Sequence, residues 1–175
     1  MRRMLLWAPL LTFVAIIGIV ALGLIKPADR DVKSAMVGKP LPDFALPPML
    51  ATKPTVASAM FRTRQPRLIN VFASWCVPCV AEAPQLLQLK DAGVRIDGIA
   101  IRDTGPAIQD FLTQNGDPYE AIGSDPESRV QLSLGSSGVP ESFVIDGSGK
   151  IVLQHIGEIR ADDVPAILDA IRNAR

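Results

Sequence analysis

The sequence predicts an α/β domain, a central mixed sheet flanked by helices, with an N-terminal strand extension and a single N-terminal transmembrane helix. Three observations carry this. Beyond residue 40, apolar runs of strand length alternate with segments of helical period. A hairpin signature, Asp146-Gly147-Ser148-Gly149, then precedes a last amphipathic helix. Ahead of all of these, residues 5–25 carry no charged side chain.

That leading segment, LLWAPLLTFVAIIGIVALGLI, spans about 31 Å as a helix, the thickness of a bilayer's hydrocarbon core. Arg2 and Arg3 make residues 1–4 a cytoplasmic stub, so everything after the span faces outward. A secretory signal peptide has an apolar region of about 7–15 residues, so the length favours an uncleaved signal anchor. The polar, Pro-bearing stretch at residues 26–37 reads as a linker, and residues 38–175 as the exported domain.

Within that domain, Leu41–Leu46 alternates as a short strand, and PPMLATKP reads as a loop. LINVFA at 68–73 is a strand buried on both faces. Residues 77–91 favour a helix with Val80, Ala83 and Leu87 on one face and Pro84 as a kink. Val94–Ile101 is the next strand. GPAIQDFLTQNG supplies a helix that presents Ile108, Phe111 and Leu112 and stops at Asn115-Gly116. Tyr119–Ile122 is a strand, and Asp125 with Pro126 predicts a capped helix to Leu134. Ser142–Ile145 and Lys150–Ile156 form the hairpin. The closing helix, from about Asp162, aligns Val164, Ile167, Leu168 and Ile171 in one stripe.

Charge and composition exclude several functions. The chain has 18 basic and 18 acidic residues, two cysteines and one histidine. No block of like charge offers the electrostatic footprint of a nucleic-acid binder, so no nucleic acid is expected. A closed zinc site needs four ligands, and only Cys76, Cys79 and His155 are at hand, so no metal is expected. A Cys-His protease would rest on His155 alone.

Cys76 and Cys79 stand where the strand LINVFA gives way to a helix. At a helix N-terminus the unpaired N–H groups and the dipole favour a thiolate on Cys76, the attacking form in thiol-disulfide exchange. Cys79, one turn on, can resolve the mixed disulfide, and Pro78 restricts the turn. A purely structural disulfide closing so short a loop would remove little unfolded-state entropy, which favours a redox role. Val139-Pro140 opens a strand where proline cannot donate to the ladder. As a cis pair it would present the Val139 backbone to an extended substrate.

The run NVFASWCVPC, Pro84, Val139-Pro140 and the closing hairpin and helix resemble the thioredoxin fold. GVPESFVIDGSGKI at 138–151, GDPYEAIGSDPESR at 116–129 and the N-terminal span resemble the membrane-anchored thioredoxin-like proteins of cytochrome c maturation, the DsbE/CcmG type within the TlpA/ResA-like group. The resemblance implies an inner-membrane, single-pass reductase facing the periplasm. It would take electrons from a DsbD/CcdA-type membrane thiol carrier and pass them to the CxxCH cysteines of apocytochrome c or to a CcmH-type partner. No cofactor is implied beyond the Cys76–Cys79 disulfide.

The same resemblance makes Cys76 the nucleophile, Cys79 the resolving thiol and Glu82 a candidate proton-transfer group. Thioredoxins usually have a buried aspartate where this chain has Asn70, which cannot exchange a proton as an acid or base. Substrate contacts would come from Trp75, Val77, Pro78, Val139, Pro140 and Glu141. A helix terminus alone lowers the Cys76 pKa by less than about one unit, and neighbouring Glu82 and Glu141 would oppose it, so a reducing pair is expected. Val80 and Ala83 replace a basic residue and a histidine found in many relatives, making the surface around the pair more apolar. Alternatives are a general exported reductase, for example for the copper site of an oxidase, and a Cu(I) metallochaperone. VGKPLPDFAL also resembles the opening of peroxiredoxins, but those use an isolated peroxidatic Cys.

Overall fold

The computed structural model of the chain describes residues 7, 9, 11–18 and 35–174. The chain divides into two units, Met1–Lys33 and Ser34–Arg175. In the first, residues 11–18 are helical and expose Leu11, Phe13, Val14, Ile16 and Ile17. The rest of the expected span 5–25, apart from Trp7 and Pro9, and linker residues 26–34 lie outside the described residues. Among those described, no helix is long and apolar enough to cross a membrane.

The second unit is built on a five-stranded sheet. Its elements are β1 (Ala45–Leu46), β2 (Val56–Ala57), β3 (Arg67–Phe72), α1 (Val77–Asp91), β4 (Ile96–Ile101) and α2 (Gly105–Asn115). They continue with β5 (Ala121–Asp125), α3 (Arg129–Ser133), β6 (Glu141–Ile145), β7 (Ile151–Ile156) and α4 (Val164–Asn173). The strand order is β5-β4-β3-β6-β7. β3 is parallel to β4 and β4 to β5, whereas β6 runs antiparallel to both β3 and β7. All six residues of β3 are buried at the centre of a sheet covered on both faces, the apolar Leu68, Ile69, Val71 and Phe72 together with the polar Arg67 and Asn70.

Right-handed crossovers place α1 and α2 on the same face of the sheet. There Phe72 of β3 meets Phe111 of α2 with ring centroids 5.8 Å apart. α1 touches both α2 and α4. The opposite face carries the β1–β2 ribbon, paired Ala45 to Ala57 and Leu46 to Val56. A 3-10 turn, Ser58–Phe61, continues it. Sequence reasoning read the stretch before β2 as loop and did not anticipate β2 or this turn. Two-residue strands carry too little periodicity to be seen.

Two local expectations are corrected. The helix expected from Pro126 begins at Arg129, because Ser128 takes a left-handed conformation (φ 57°) and residues 126–128 form a turn. Asp125 still caps, reaching across that turn to accept from the backbone N–H groups of Arg129 and Gln131 at 2.9 Å each. In α1 the inward face is Cys79, Glu82, Ala83, Leu86 and Leu89. Val80 is exposed and Ala83 buried, so only the former adds apolar surface near the cysteines.

Tight packing beneath the site centres on Gly98 of β4. A Cβ there would sit 2.7 Å from Phe72 Cε1 and 3.1 Å from Tyr119 Cδ1. Both rings are fully packed, stacked on one another at 4.6 Å. Gly98→Ala should therefore cost roughly 1–3 kcal/mol through overpacking, measured by urea unfolding. A stability unchanged from wild type would show that these rings can move apart freely.

Candidate redox site

β3 ends at the centre of the sheet, and the chain passes through Ala73-Ser74-Trp75 into α1. Cys76 is the N-cap of α1, its Sγ accepting from the Cys79 backbone N–H at 3.2 Å, and Pro78 stands at the start of the helix. A residue at this place faces helix N–H groups that lack intrahelical partners. Cys76 and Cys79 form a disulfide with Cα atoms 5.3 Å apart. Both cysteines are buried, while Trp75, Val77 and Val80 around them are exposed. The disulfide thus lies at the surface end of the core under an apolar rim.

A second loop braces the entry to the helix. Asp103 accepts from Ser74 N–H at 2.6 Å and from its hydroxyl at 3.0 Å. The Trp75 indole N–H donates to the Arg102 carbonyl at 3.2 Å, and the Arg102 guanidinium sits 6.0 Å from the indole centroid. Arg102 adopts a positive φ of 46° at this turn. Sequence reasoning missed Arg102 and Asp103, since neither belongs to a motif.

The Val139–Pro140 peptide bond is cis. Pro140 is buried and Val139 is half-buried against the core. The loop before them is tied down from within. Gln131 Nε2 and Ser136 Oγ both donate to the Gly138 carbonyl, at 3.0 and 3.1 Å.

The two acids that the sequence singles out have different surroundings from a free acidic surface. Glu141 is buried, its carboxylate accepting from Ser137 N–H at 3.1 Å and from the Gln154 amide. It precedes Ser142 on β6, and alternation sends the two side chains to opposite faces of the sheet. Because Ser142 meets Asn70 on the α1 side, Glu141 holds the loop from the other side and does not join Glu82.

Glu82 is fully buried one turn after Cys79. Its Oε2 accepts from Ile159 N–H at 3.0 Å and its Oε1 from Asn70 Nδ2 at 2.9 Å. Asn70 Nδ2 also donates to Ser142 Oγ at 3.0 Å, and Asn70 Oδ1 accepts from the Tyr119 hydroxyl at 2.7 Å. Burial pushes the Glu82 carboxyl up from 4.5 to about 7. The Ile159 and Asn70 hydrogen bonds hold it back, and the charge of Glu158 adds to the rise. Burial, then the charge of Glu82, raises Tyr119 well above the usual phenol range. Sequence reasoning placed Asn70 but did not find Tyr119, Ser142 or Ile159.

A carboxyl that titrates near neutrality, one helical turn from a redox disulfide, can take up or release a thiol proton at working pH. His155 has no part in this. It meets the Glu158 carbonyl at 3.1 Å in the terminal hairpin region.

The Redoxin family profile matches residues 36–171. The thiol:disulfide interchange protein HelX of Rhodobacter capsulatus is 34% identical over 171 residues, covering 98% of this chain and 97% of its own. The Escherichia coli K12 thiol:disulfide interchange protein DsbE is 34% identical over 163 residues, covering 91% and 88%. Among solved structures, a Chlorobium tepidum chain carrying the name thiol:disulfide interchange protein DsbE superposes with a TM-score of 0.67 at 32% identity. The match covers 81% of this chain and 99% of that one. A cysteine pair at the head of α1 on a thioredoxin-like sheet, together with these relatives, places the chain in the Redoxin family as a DsbE/HelX-type thiol-disulfide oxidoreductase.

Proposed function

We propose that the protein is a membrane-anchored periplasmic reductase of cytochrome c biogenesis, keeping the CxxCH cysteines of apocytochrome c, or those of a CcmH-type partner, reduced for haem attachment. The observation that carries the chemistry is the Cys76–Cys79 pair at the head of α1 with buried Glu82 one turn behind it. The substrate assignment is supported by the likeness to HelX and DsbE and by the GVPESF and GDPYEAIGSD motifs. The uncharged run at residues 5–25 supports an anchor with the catalytic domain outside.

The reaction starts from the reduced pair. The Cys76 thiolate attacks one sulfur of the substrate disulfide, forming a mixed disulfide and releasing the other substrate sulfur as a thiolate. Cys79 gives its proton to the Glu82 carboxylate and attacks Cys76 Sγ. The second substrate sulfur leaves as a thiolate, and two electrons have passed from the protein pair to the substrate. Oxidised Cys76–Cys79 is then re-reduced by a dithiol donor of the DsbD/CcdA type. Trp75, Val77 and Pro78 line the approach, and the Val139 backbone beside cis-Pro140 offers a strand-like edge to the substrate. No dissociable cofactor takes part.

Glu82→Gln removes the proton acceptor while keeping the size of the side chain. Resolution of the mixed disulfide should slow by roughly 100-fold in stopped-flow reduction at pH 8. The rise of the wild-type rate through pH about 7 should also disappear. An unaltered profile would remove Glu82 from the reaction. In the producing cell, deletion of the gene should abolish c-type cytochromes. Normal cytochromes with a defective copper oxidase would point to the general reductase instead.

A further inference from the structure

The chain Tyr119–Asn70–Glu82 contains more than the acid. Both hydrogens of the Asn70 amide are used, one on Glu82 Oε1 at 2.9 Å and one on Ser142 Oγ at 3.0 Å. Its oxygen accepts the Tyr119 proton at 2.7 Å. Asn70, Glu82 and Ser142 are fully buried, and Tyr119 is buried beside them.

An asparagine amide has two orientations that differ by exchange of its O and NH2. In the one observed, NH2 faces the carboxylate and supports its charge. In the other, the Asn70 oxygen would face Glu82 Oε1, an arrangement tolerable only if Glu82 held a proton. That orientation would also turn the Asn70 NH2 toward the buried hydroxyl proton of Tyr119. The Tyr119 hydroxyl would have to turn its proton away to accept from that NH2, giving up the 2.7 Å hydrogen bond it now donates. Tyr119 therefore penalises the orientation that goes with protonated Glu82.

We propose that Tyr119 is a positioning residue whose hydroxyl locks the Asn70 amide with its NH2 toward Glu82 and so favours the ionised carboxylate. Its functional consequence rests on the reading that Glu82 takes the Cys79 proton. Tyr119 lies 49 residues from Asn70 along the chain and stacks on Phe72. A phenylalanine there keeps the ring and its stacking and removes only the lock.

Other groups bear on the same carboxyl. Glu158 raises its proton affinity through charge, and the Ile159 N–H lowers it, both from the segment between β7 and α4. Asp117 acts on Tyr119 from the loop before β5. Cys79 precedes Glu82 by one turn on α1 and is tied up in the disulfide when the protein is oxidised. The oxidised protein thus isolates the amide's effect from thiol titration.

The test is an infrared titration of the Glu82 carboxyl in the oxidised full-length chain, with Glu82→Gln subtracted to identify the band. Tyr119→Phe should move the midpoint upward by about one pH unit from wild type, tenfold in ionisation at fixed pH. Asn70→Ala should also raise it, and adding Tyr119→Phe to Asn70→Ala should raise it no further, because Tyr119 acts through Asn70. A midpoint unmoved by Tyr119→Phe overturns the proposal, even if the variant unfolds more easily. So does full additivity of the two substitutions. If the midpoint moves as expected but the stopped-flow pH profile does not follow, the lock stands and the proton-transfer role of Glu82 falls.

Discussion

Cys79→Ser turns the protein into a covalent trap. Cys76 keeps its place at the N-terminus of α1 and still attacks, so the first exchange proceeds. The second cannot, because serine does not displace a thiolate from sulfur. Resolution in the native protein is intramolecular, between residues whose Cα atoms are 5.3 Å apart. Well-oriented intramolecular reactions reach effective molarities of about 10⁵–10⁸ M, so release should slow by at least about 10³-fold. Non-reducing gels should show a stable adduct with the substrate, abolished by dithiothreitol. Cys76→Ser should give no adduct and no turnover. An adduct formed through Cys79 in that variant would reverse the assignment of nucleophile and resolving thiol.

Asp97→Ala should cost about 3–5 kcal/mol of stability, the range for removing one partner of a buried ion pair. Asp97 lies on β4 and takes both arms of the Arg67 guanidinium, Nε at 2.5 Å and Nη2 at 2.6 Å. The side chains are 3% and 0% exposed for Arg67 and Asp97. Burial opposes both charges, and the bidentate bonds offset it. With the aspartate gone, Arg67 retains Glu120, whose carboxylate lies 2.8 Å away at the surface and is shared with Arg95. That remaining partner should keep the loss toward the lower end. Replacing both residues together, Arg67→Met with Asp97→Leu, should cost far less than Asp97→Ala, because no charge is left buried without its partner. Urea unfolding of the three proteins checks this. A double variant as unstable as the single would mean that the cost comes from lost packing on the β1–β2 side, where Arg67 also lies 6.0 Å from the Phe61 ring centroid.

What could be read from the residues alone depended on how locally the physics acts. LINVFA and IDGIAI announce central strands because burial on both faces leaves nearly continuous apolar runs. The carboxylate of Asp97 inside the second of these was passed over, although a charge in a buried strand needs a partner. Its partner Arg67 could be named only once register placed Asp97 opposite Ile69. CVPC was legible because its chemistry requires a helix N-terminus, and the helical period that follows the strand LINVFA supplies one.

The surroundings of the acids were not legible in the same way. Helical periodicity put Val80, Ala83 and Leu87 on the inner face of α1, as it must when a glutamate is assumed to prefer water. The structure turns Glu82 inward, where donors from β3 and from the segment before α4 await it, 12 and 77 residues away. Glu141 follows Pro140 in the chain and so looked like a companion of Glu82. The pleat of β6 sends it to the other face, where it secures Ser137. Contacts made across a sheet depend on parity and register, which no motif states.

In the proposed function the Cys76–Cys79 dithiol donates electrons to the cysteines of a haem-attachment site. The most direct measurement mixes the reduced protein with an oxidised CxxCH peptide and counts protein and peptide thiols at equilibrium. Loss of the protein's two thiols should be matched by the appearance of two on the peptide, with a Cys76-linked intermediate captured by Cys79→Ser. Electron flow the other way, with the oxidised protein converting a reduced CxxCH peptide to its disulfide, would contradict that function.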